Sequence, residues 1–332
     1  MSGDSVSANR LAPAALGQAL RARLLRLRVR DYGIVAAFLA LFIGLSFSSN
    51  VFFTQTNLLN ILDQNAPYGI IAVFQTVVII GGGFDLSVGA MFALGGVAAA
   101  QTEPHIGVAL SLVVGSLFGL GLGIFNGLLI TVGRMNAFIA TLASSFMFYG
   151  LGDVMTNGFL VTVTKAQFSD LGNNDFAGVA YAIWLFLGVA LAAWFLIDRT
   201  TLGRYIYAVG GNPEAARLSG VRVNVVRVTT FALCGLASGI AGVLVASQIS
   251  QGQADTGTDL TLTTIAAVVI GGTSILGGEG AIWRSVLGIL LLAMIGNGFN
   301  LLNINPIYQQ IVEGAIIVLA VALDAWSRRP GG

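Results

Sequence analysis

Apolar residues along this chain gather into long blocks separated by short polar or Gly/Pro breaks. A helix that crosses the ~30 Å hydrocarbon layer needs about 20 apolar residues. Ten blocks come close to that length: 32–48, 57–80, 84–100, 106–132, 137–156, 179–197, 225–248, 259–276, 282–301 and 307–325. The pattern predicts an all-α, polytopic membrane bundle of about ten transmembrane segments. Glycine clusters interrupt the second, third and eighth blocks, which predicts broken or re-entrant helices there. Val77-Val78-Ile79-Ile80-Gly81-Gly82 resembles Val268-Val269-Ile270-Gly271-Gly272, a short internal echo of the kind that transporters carry at matching helix breaks.

Charge orients the segments. With the N-terminus in the cytoplasm and the blocks alternating, Arg134, the stretch from Arg199 to Arg227, Arg284, Arg328 and Arg329 all face inward with the N-terminal arginines. Only Lys165 faces outward, in the longest external loop, about 157–178, so 15 of 16 basic residues lie on one side. That asymmetry is a positive-inside signal, and it predicts both termini in the cytoplasm. Three parts follow: a cytoplasmic arm (1–30) whose Arg-rich stretch is amphipathic rather than a secretory signal, a transmembrane domain (31–327) that includes a cytoplasmic loop (198–224), and a short cytoplasmic tail (328–332).

Composition narrows the class. The 332 residues are 56% hydrophobic and 9% charged, against about 25% charge in soluble domains, which excludes a water-soluble globule and a disordered chain. A net charge of +1 gives no reason to expect nucleic acid. One cysteine, Cys234, and one histidine, His105, cannot build a His/Cys metal site, and Cys234 reads as a buried, inert thiol. Glycine is abundant, 44 residues. Gly115, Gly119, Gly123 and Gly127 recur every fourth residue, and Gly235 and Gly239 repeat the spacing; such stripes let helices approach closely.

Polar groups inside the apolar blocks are the candidate solute path. Asp85 stands in the break Gly81-Gly82-Gly83-Phe84-Asp85-Leu86-Ser87. Asp85 and Ser87 are placed either to cap the next helix or to meet a solute or gate. Asn60, Asp63, Gln64 and Asn65 open the second block, with Gln75 deeper; Asn126, Ser144, Ser145, Gln248, Thr264, Asn297 and Asn300 add uncharged groups elsewhere. Burying an unpaired polar group costs roughly 2–7 kcal/mol, so a neutral polyhydroxylated solute needs replacement partners of this kind. The path residues selected are Asn65, Gln75, Asp85, Ser87, Asn126, Ser144, Ser145, Gln248, Thr264 and Asn297. Each is equally able to serve as an interhelical hydrogen bond. Glu313, in the last block, is buried or near the outer mouth.

In the cytoplasmic loop, Asn212-Pro213-Glu214 reads as N-cap, proline at N1 and acid in the first turn. Gly220 reads as a stop. A short helix over 213–219 is predicted outside the bilayer, as a solvated connector or a docking element. No phosphate-binding loop is present, since Lys165 lacks the preceding glycine, so the chain is not its own ATPase and no catalytic residue is assigned.

Four stretches carry a family resemblance: GGGFDLSVG (81–89), RMNAFIATL (134–142), TLGRYIYAVGGNPEAARLSGV (201–221) and GGTSILGGEG (271–280). Together they resemble the membrane permease subunit of bacterial ABC importers for monosaccharides, the ribose/xylose/galactose type. The resemblance implies an inner-membrane transport subunit, not an enzyme, working with a second permease subunit by alternating access. It implies ATPase subunits carrying ATP and Mg on the cytoplasmic face, an extracytoplasmic sugar-binding protein outside, and no cofactor in the chain itself. Glu214-Ala215-Ala216 with Gly220 looks like the E-A-A-x-x-x-G loop that inserts into the ATPase. On that basis Gly203, Arg204, Asn212, Pro213, Glu214, Ala215, Ala216, Arg217 and Gly220 are the expected coupling residues. Two other classes remain open: a proton-coupled transporter or facilitator, with Asp85 or Glu313 as relay, and an intramembrane hydrolase using Asp63 and Asp85.

Overall fold

The computed structural model describes residues 33–305 and 307–327. The expected arm (1–30) and tail (328–332) lie outside the described residues, as does the side chain of Glu313. Helices occupy most of the rest, in the order α1 (Gly33–Ser48), α2 (Gln55–Ile80), α3 (Val88–Ile106), α4 (Val108–Thr131), α5 (Ala137–Thr156), α6 (Asp170–Asn173), α7 (Tyr181–Arg199), α8 (Thr201–Gly211), α9 (Pro213–Leu218), α10 (Val223–Ile249), α11 (Leu260–Ile270), α12 (Ile282–Leu301) and α13 (Ile307–Ser327). Two small antiparallel ribbons pair β1 (Val161–Thr162) with β4 (Gln251–Gly252) and β2 (Asp175–Phe176) with β3 (Val179–Ala180).

Five helices, α4, α5, α7, α10 and α12, are long and apolar enough to cross a membrane by length and composition. Of their apolar windows, α4, α5 and α7 bury only 22–28% inside the protein, whereas α10 and α12 bury 67% and 61%. Helices α5 and α7 are therefore peripheral, α4 buries a narrow glycine face and leaves the rest apolar and exposed, and α10 and α12 are central.

The core is a seam of α3, α4 and α10 in which glycine replaces side-chain interdigitation. A Cβ on Gly119 would land on the Gly235 carbonyl, and one on Gly235 on the Gly119 carbonyl. Gly95 meets Gly239 and Gly115 backbone in the same way, and Gly242 rests on the Phe92 carbonyl. The four-residue glycine spacing of α4 thus buys backbone-to-backbone contact.

Contacts between elements sort the helix ends into two groups. At one end lie the close of α2, the start of α3, the close of α4 and starts of α5 and α10, and α8: Leu86 N–H donates to Thr141 Oγ (3.0 Å), Gly127 abuts Val228, and Gly82 abuts Gly210. At the other end Gln101 donates to the Met155 carbonyl, Glu103 accepts from Thr164 N–H (3.0 Å) and Oγ–H (2.8 Å), and β1 meets β4.

The expected breaks are present, and two of them match. After α2, Gly82 takes φ +78°, with Gly82 N–H donating to Ile79 O (2.9 Å) and Gly83 N–H to Val78 O (3.0 Å). After α11, Gly272 takes φ +78°, with Gly272 N–H donating to Val269 O (2.8 Å) and Thr273 N–H to Val268 O (3.2 Å). Both are the doubly bonded glycine stop of a Schellman end. The third block differs at its far end: α3 continues through Pro104 to Ile106 and stops at Gly107 (φ +84°).

The eighth block also differs. Its helix is only Leu260–Ile270, about 16 Å long. The chain before it runs along α3 without helix: Gly252 packs on Val97 and Ala100, and Gly257 on Gly89 and Phe92. Irregular backbone at membrane depth is stable only where protein buries it or it lines a cavity. Here it does both.

Candidate functional site

Two structures built from these breaks carry the chemistry: a hairpin at the α8 end of the bundle and a pair of connected cavities at the other.

The hairpin begins with a tight turn. Gly203, whose N–H donates to the capping Thr200 hydroxyl (3.2 Å), lets α8 fold back on the last carbonyls of α7. Asn212 then caps α9, its side-chain oxygen accepting from Glu214 N–H (3.1 Å) and Ala215 N–H (3.0 Å); such a cap is worth about 1 kcal/mol. Pro213 occupies the first turn, and Gly220 (φ +85°) follows the stop. Glu214 and Arg217 form a two-point ion pair, 2.6 and 3.1 Å. The hydrogen bond from Arg217 holds the Glu214 carboxyl below its ordinary range. Both side chains are exposed, as are Arg204 and Ala215, while Ala216 turns inward. Leu218 stands 77% exposed beside them. The short helix thus presents a charged pair and an unburied leucine at the surface of the protein.

The far end of α8 is the other notable contact. A Cβ on Gly210 would strike the Ile80 carbonyl, and Gly211 meets Gly278. Gly278 N–H in turn donates to Ile80 O (2.8 Å), and Tyr207 Oη–H donates to Gly280 O (2.9 Å). Three backbones, the last turn of α2, the end of α8 and the loop 277–280, thus meet without intervening side chains. The end of α8 that leads into α9 touches the last turn of α2 and the loop that follows the break after α11.

The first cavity, about 550 Å³, is a vestibule between the start of α2 (Gln55, Asn60), the 173–180 turn and α7. The second, about 360 Å³, is a deeper chamber, at the small end of ligand pockets (about 300–1,000 Å³). Asp63, Gln64, Pro67 and Tyr68 of α2 form one wall; Gln248, Thr256 and Leu260 face them, with Phe92 between. Asp63, Gly172 and Asn173 line both spaces. The α6 corner is pinned to α10: Gly172 N–H donates to Ser247 Oγ (2.9 Å), and Asn173 Nδ2 to the Ser247 and Gln248 carbonyls.

Of the ten path residues expected from the sequence, Gln248 lines the chamber. Gln75, Asp85, Ser87 and Asn126 converge, fully buried, in a separate network. Asp85 Oδ1 accepts from Ser87 N–H (2.9 Å) and Oγ–H (2.6 Å); Asn126 Nδ2 donates to Ser87 Oγ (2.7 Å), and Gln75 Nε2 to Asp85 O (3.1 Å). The Cys234 thiol closes the group against Gln75 Oε1 (3.4 Å). Ser87 does not cap α3 with its own side chain; Thr261 Oγ of α11 accepts from Gly89 N–H (3.2 Å) in its place. Asn65, Ser144 and Thr264 bond carbonyls of their own helices. Asn297 pairs with Asn57 (2.9 and 3.2 Å), and Ser145 is half-buried on α5.

Asp63 and Asp85 do not form an acid pair. Asp85 is bonded to Gln75, twelve residues beyond Asp63 on α2, which is about 18 Å of helix. Among the described residues no three His, Cys, Asp or Glu gather as a metal site.

Asp63, Tyr68, Asn173 and Thr256 were not among the expected path residues. The signal for Asp63 was its place four residues before Pro67. Proline has no N–H to return to the Asp63 carbonyl, so an acceptor is left open beside a carboxylate. For Thr256, the polar stretch after β4 resembles a surface loop, and only the shortness of α11 shows that it enters the bundle.

Comparison with known proteins agrees with this arrangement. Residues 57–321 match the family model described as "Branched-chain amino acid transport system / permease component". The ribose import permease protein of Escherichia coli (strain K12) is 41% identical over 293 residues, covering 87% of this chain and 91% of that protein. The L-arabinose ABC transporter permease protein of Azospirillum brasilense is 38% identical (89% and 88% covered), and the xylose transport system permease protein of E. coli (strain K12) 31% identical (91% and 93%). No solved structure matches the chain significantly. With the family model matched over most of its length and these relatives 31–41% identical, the chain belongs to this family of membrane transport permeases.

Proposed function

We propose that this chain is the translocation subunit of a bacterial ATP-binding-cassette importer for a neutral monosaccharide, in the cytoplasmic membrane. The observation that carries the reading is the α8–α9 hairpin, an exposed capped helix whose far end rests on the backbones of both broken-helix ends. A solute chamber that lacks an engine needs such a linkage. The names of the relatives, for ribose, arabinose and xylose, supply the solute class.

The chain crosses the bilayer ten times with both termini in the cytoplasm. Two features support this: the alternation of helix ends between two groups, and the placement of every arginine at the hairpin end or beyond the described residues. The transmembrane domain is 31–327, and 198–224 is its coupling loop. The vestibule opens outward, toward an extracytoplasmic sugar-binding protein. ATPase subunits, which hold ATP and Mg, receive α9. A second permease copy completes the path, and the apolar faces of α4, α5 and α7 meet it or lipid. ATP binding favours one orientation of the bundle only through its different affinity for the two states.

The test is reconstitution with the partner ATPase and binding protein. Glu214→Arg reverses the charge of α9 and removes its ion pair without touching the core. It is expected to leave the permease folded while cutting ATPase copurification and ATP-driven uptake at least about tenfold. Unchanged uptake by this variant rejects the coupling role. Uptake driven by a proton gradient without nucleotide would replace the whole reading with a secondary transporter.

A further inference from the structure

The chamber holds an acceptor cluster that no other feature of the fold explains. Asp63 Oδ1 is buried and has no hydrogen-bond partner. Its own backbone carbonyl is deprived of a helical partner by Pro67, since proline has no N–H. Across the throat, Asn173 commits its amide N–H groups to the Ser247 and Gln248 carbonyls, which leaves its side-chain oxygen as an acceptor. Asp63 and Asn173 each line both spaces, so they stand where vestibule and chamber meet. The rest of the chamber mixes apolar Pro67, Phe92, Val245 and Leu260 with polar Gln64, Tyr68, Gln248 and Thr256.

The chemistry selects the ligand. A carboxylate at the throat, with the amide and hydroxyl groups of Gln64, Tyr68, Gln248 and Thr256 beyond it, suits a guest that both donates and accepts; adjacent sugar hydroxyls do both, and one carboxylate can engage two of them by charge-assisted bonds. The apolar faces suit the C–H side of the same ring. Among the described residues no Lys, Arg or His lines either cavity, while Asp63 and Asp175 do, so an anionic sugar meets carboxylate charge with no cation to offset it. A hard cation is a poor occupant, since it takes six or more oxygens and no cluster of metal-binding side chains lies here among the described residues.

We infer that the throat is a solute site of the permease itself. In it Asp63, assisted by Asn173, accepts hydrogen bonds from neighbouring hydroxyls of a neutral monosaccharide and excludes phosphorylated or acidic sugars. This rests on the sugar-permease reading above. It adds a second selection step inside the membrane, independent of the binding protein.

The experiment uses the complete transporter in proteoliposomes, measuring radiolabelled D-ribose, L-arabinose and D-xylose taken up per ATP hydrolysed. For whichever sugar the wild type carries, Asp63→Asn is expected to lower sugar moved per ATP about tenfold, while ATPase stimulation by the loaded binding protein persists. Asp63→Glu restores part of it. Thr256→Phe, which narrows the chamber from a loop, lowers uptake with the same ATPase response and tests the site even where an Asp63 variant does not assemble. Wild-type sugar-to-ATP ratios in Asp63→Asn and Thr256→Phe overturn the inference, as does sodium-dependent uptake or efficient carriage of D-ribose 5-phosphate by the wild type. A wild-type complex that carries none of the three sugars on ATP overturns the function reading instead, so the two failures are distinguishable.

Discussion

Asp85 shows how a membrane carboxylate can be structural. It brackets the start of α3 through the Ser87 N–H and hydroxyl, and Ser87 passes the bracket on to Asn126 of α4. Removing the acceptor leaves two buried donors unpaired, at roughly 1–3 kcal/mol each. Asp85→Ala is therefore expected to lower the melting temperature of the purified permease by several degrees and to reduce folded yield. Asp85→Asn, which keeps the Oδ1 acceptor, should melt close to wild type and still transport. A folded Asp85→Asn protein that fails to transport would show that the charge has a role beyond holding the turn. The sequence displayed Asp85 plainly, because a lone acid in a glycine cluster is conspicuous. What it did not display is which polar residues face a space and which face one another. Asn65 and Thr264 look like path residues in a linear reading, yet both satisfy carbonyls of their own helices, and hydroxyl and amide side chains in helices do so routinely.

Among the elements, helices were legible and their interruptions only in part. Apolar blocks locate α4, α5, α7, α10 and α12 to within a few residues, since each must satisfy its own backbone in lipid. The short helix α9 was equally legible, because Asn212, Pro213 and Gly220 each have a local conformational reason to stand where they do. The irregular stretch before α11 was not, because its stability comes from α3, distant in sequence. The junction of α2, α8 and the 277–280 loop is likewise a tertiary fact. A methyl group at Gly210 has no place beside the Ile80 carbonyl, so Gly210→Ala must part α8 from α2. The expected result is a complex that still binds its ATPase through α9 but whose ATP turnover no longer rises with loaded binding protein. Normal stimulation in that variant would mean that force reaches the bundle by another route.

At the scale of the molecule, the protein divides into a part that is interlocked and a part that is not. The glycine contacts of α3, α4 and α10 leave no slack for sliding, since close-packed interfaces switch between discrete arrangements rather than deform. The wall formed by α2 is joined to the hairpin and interrupted by Pro67, a site at which helices bend. Nitroxide labels at Val113 and Ile249, both exposed, should therefore keep one distance in nucleotide-free and ATP-trapped transporter. A label at Gln55 should shift relative to Val113 by several ångströms, and a fixed Gln55 distance would contradict this division.

The same division sets the terms for redesign. Phe92 bounds the chamber on the side where its carbonyl rests on Gly242, so carving room there for a bulkier cargo would loosen the framework. Thr256 and Asn173 bound it from short, non-repetitive stretches at the rim. An engineer who wants this permease to accept a bulkier solute has those two positions as the adjustable side of the mould.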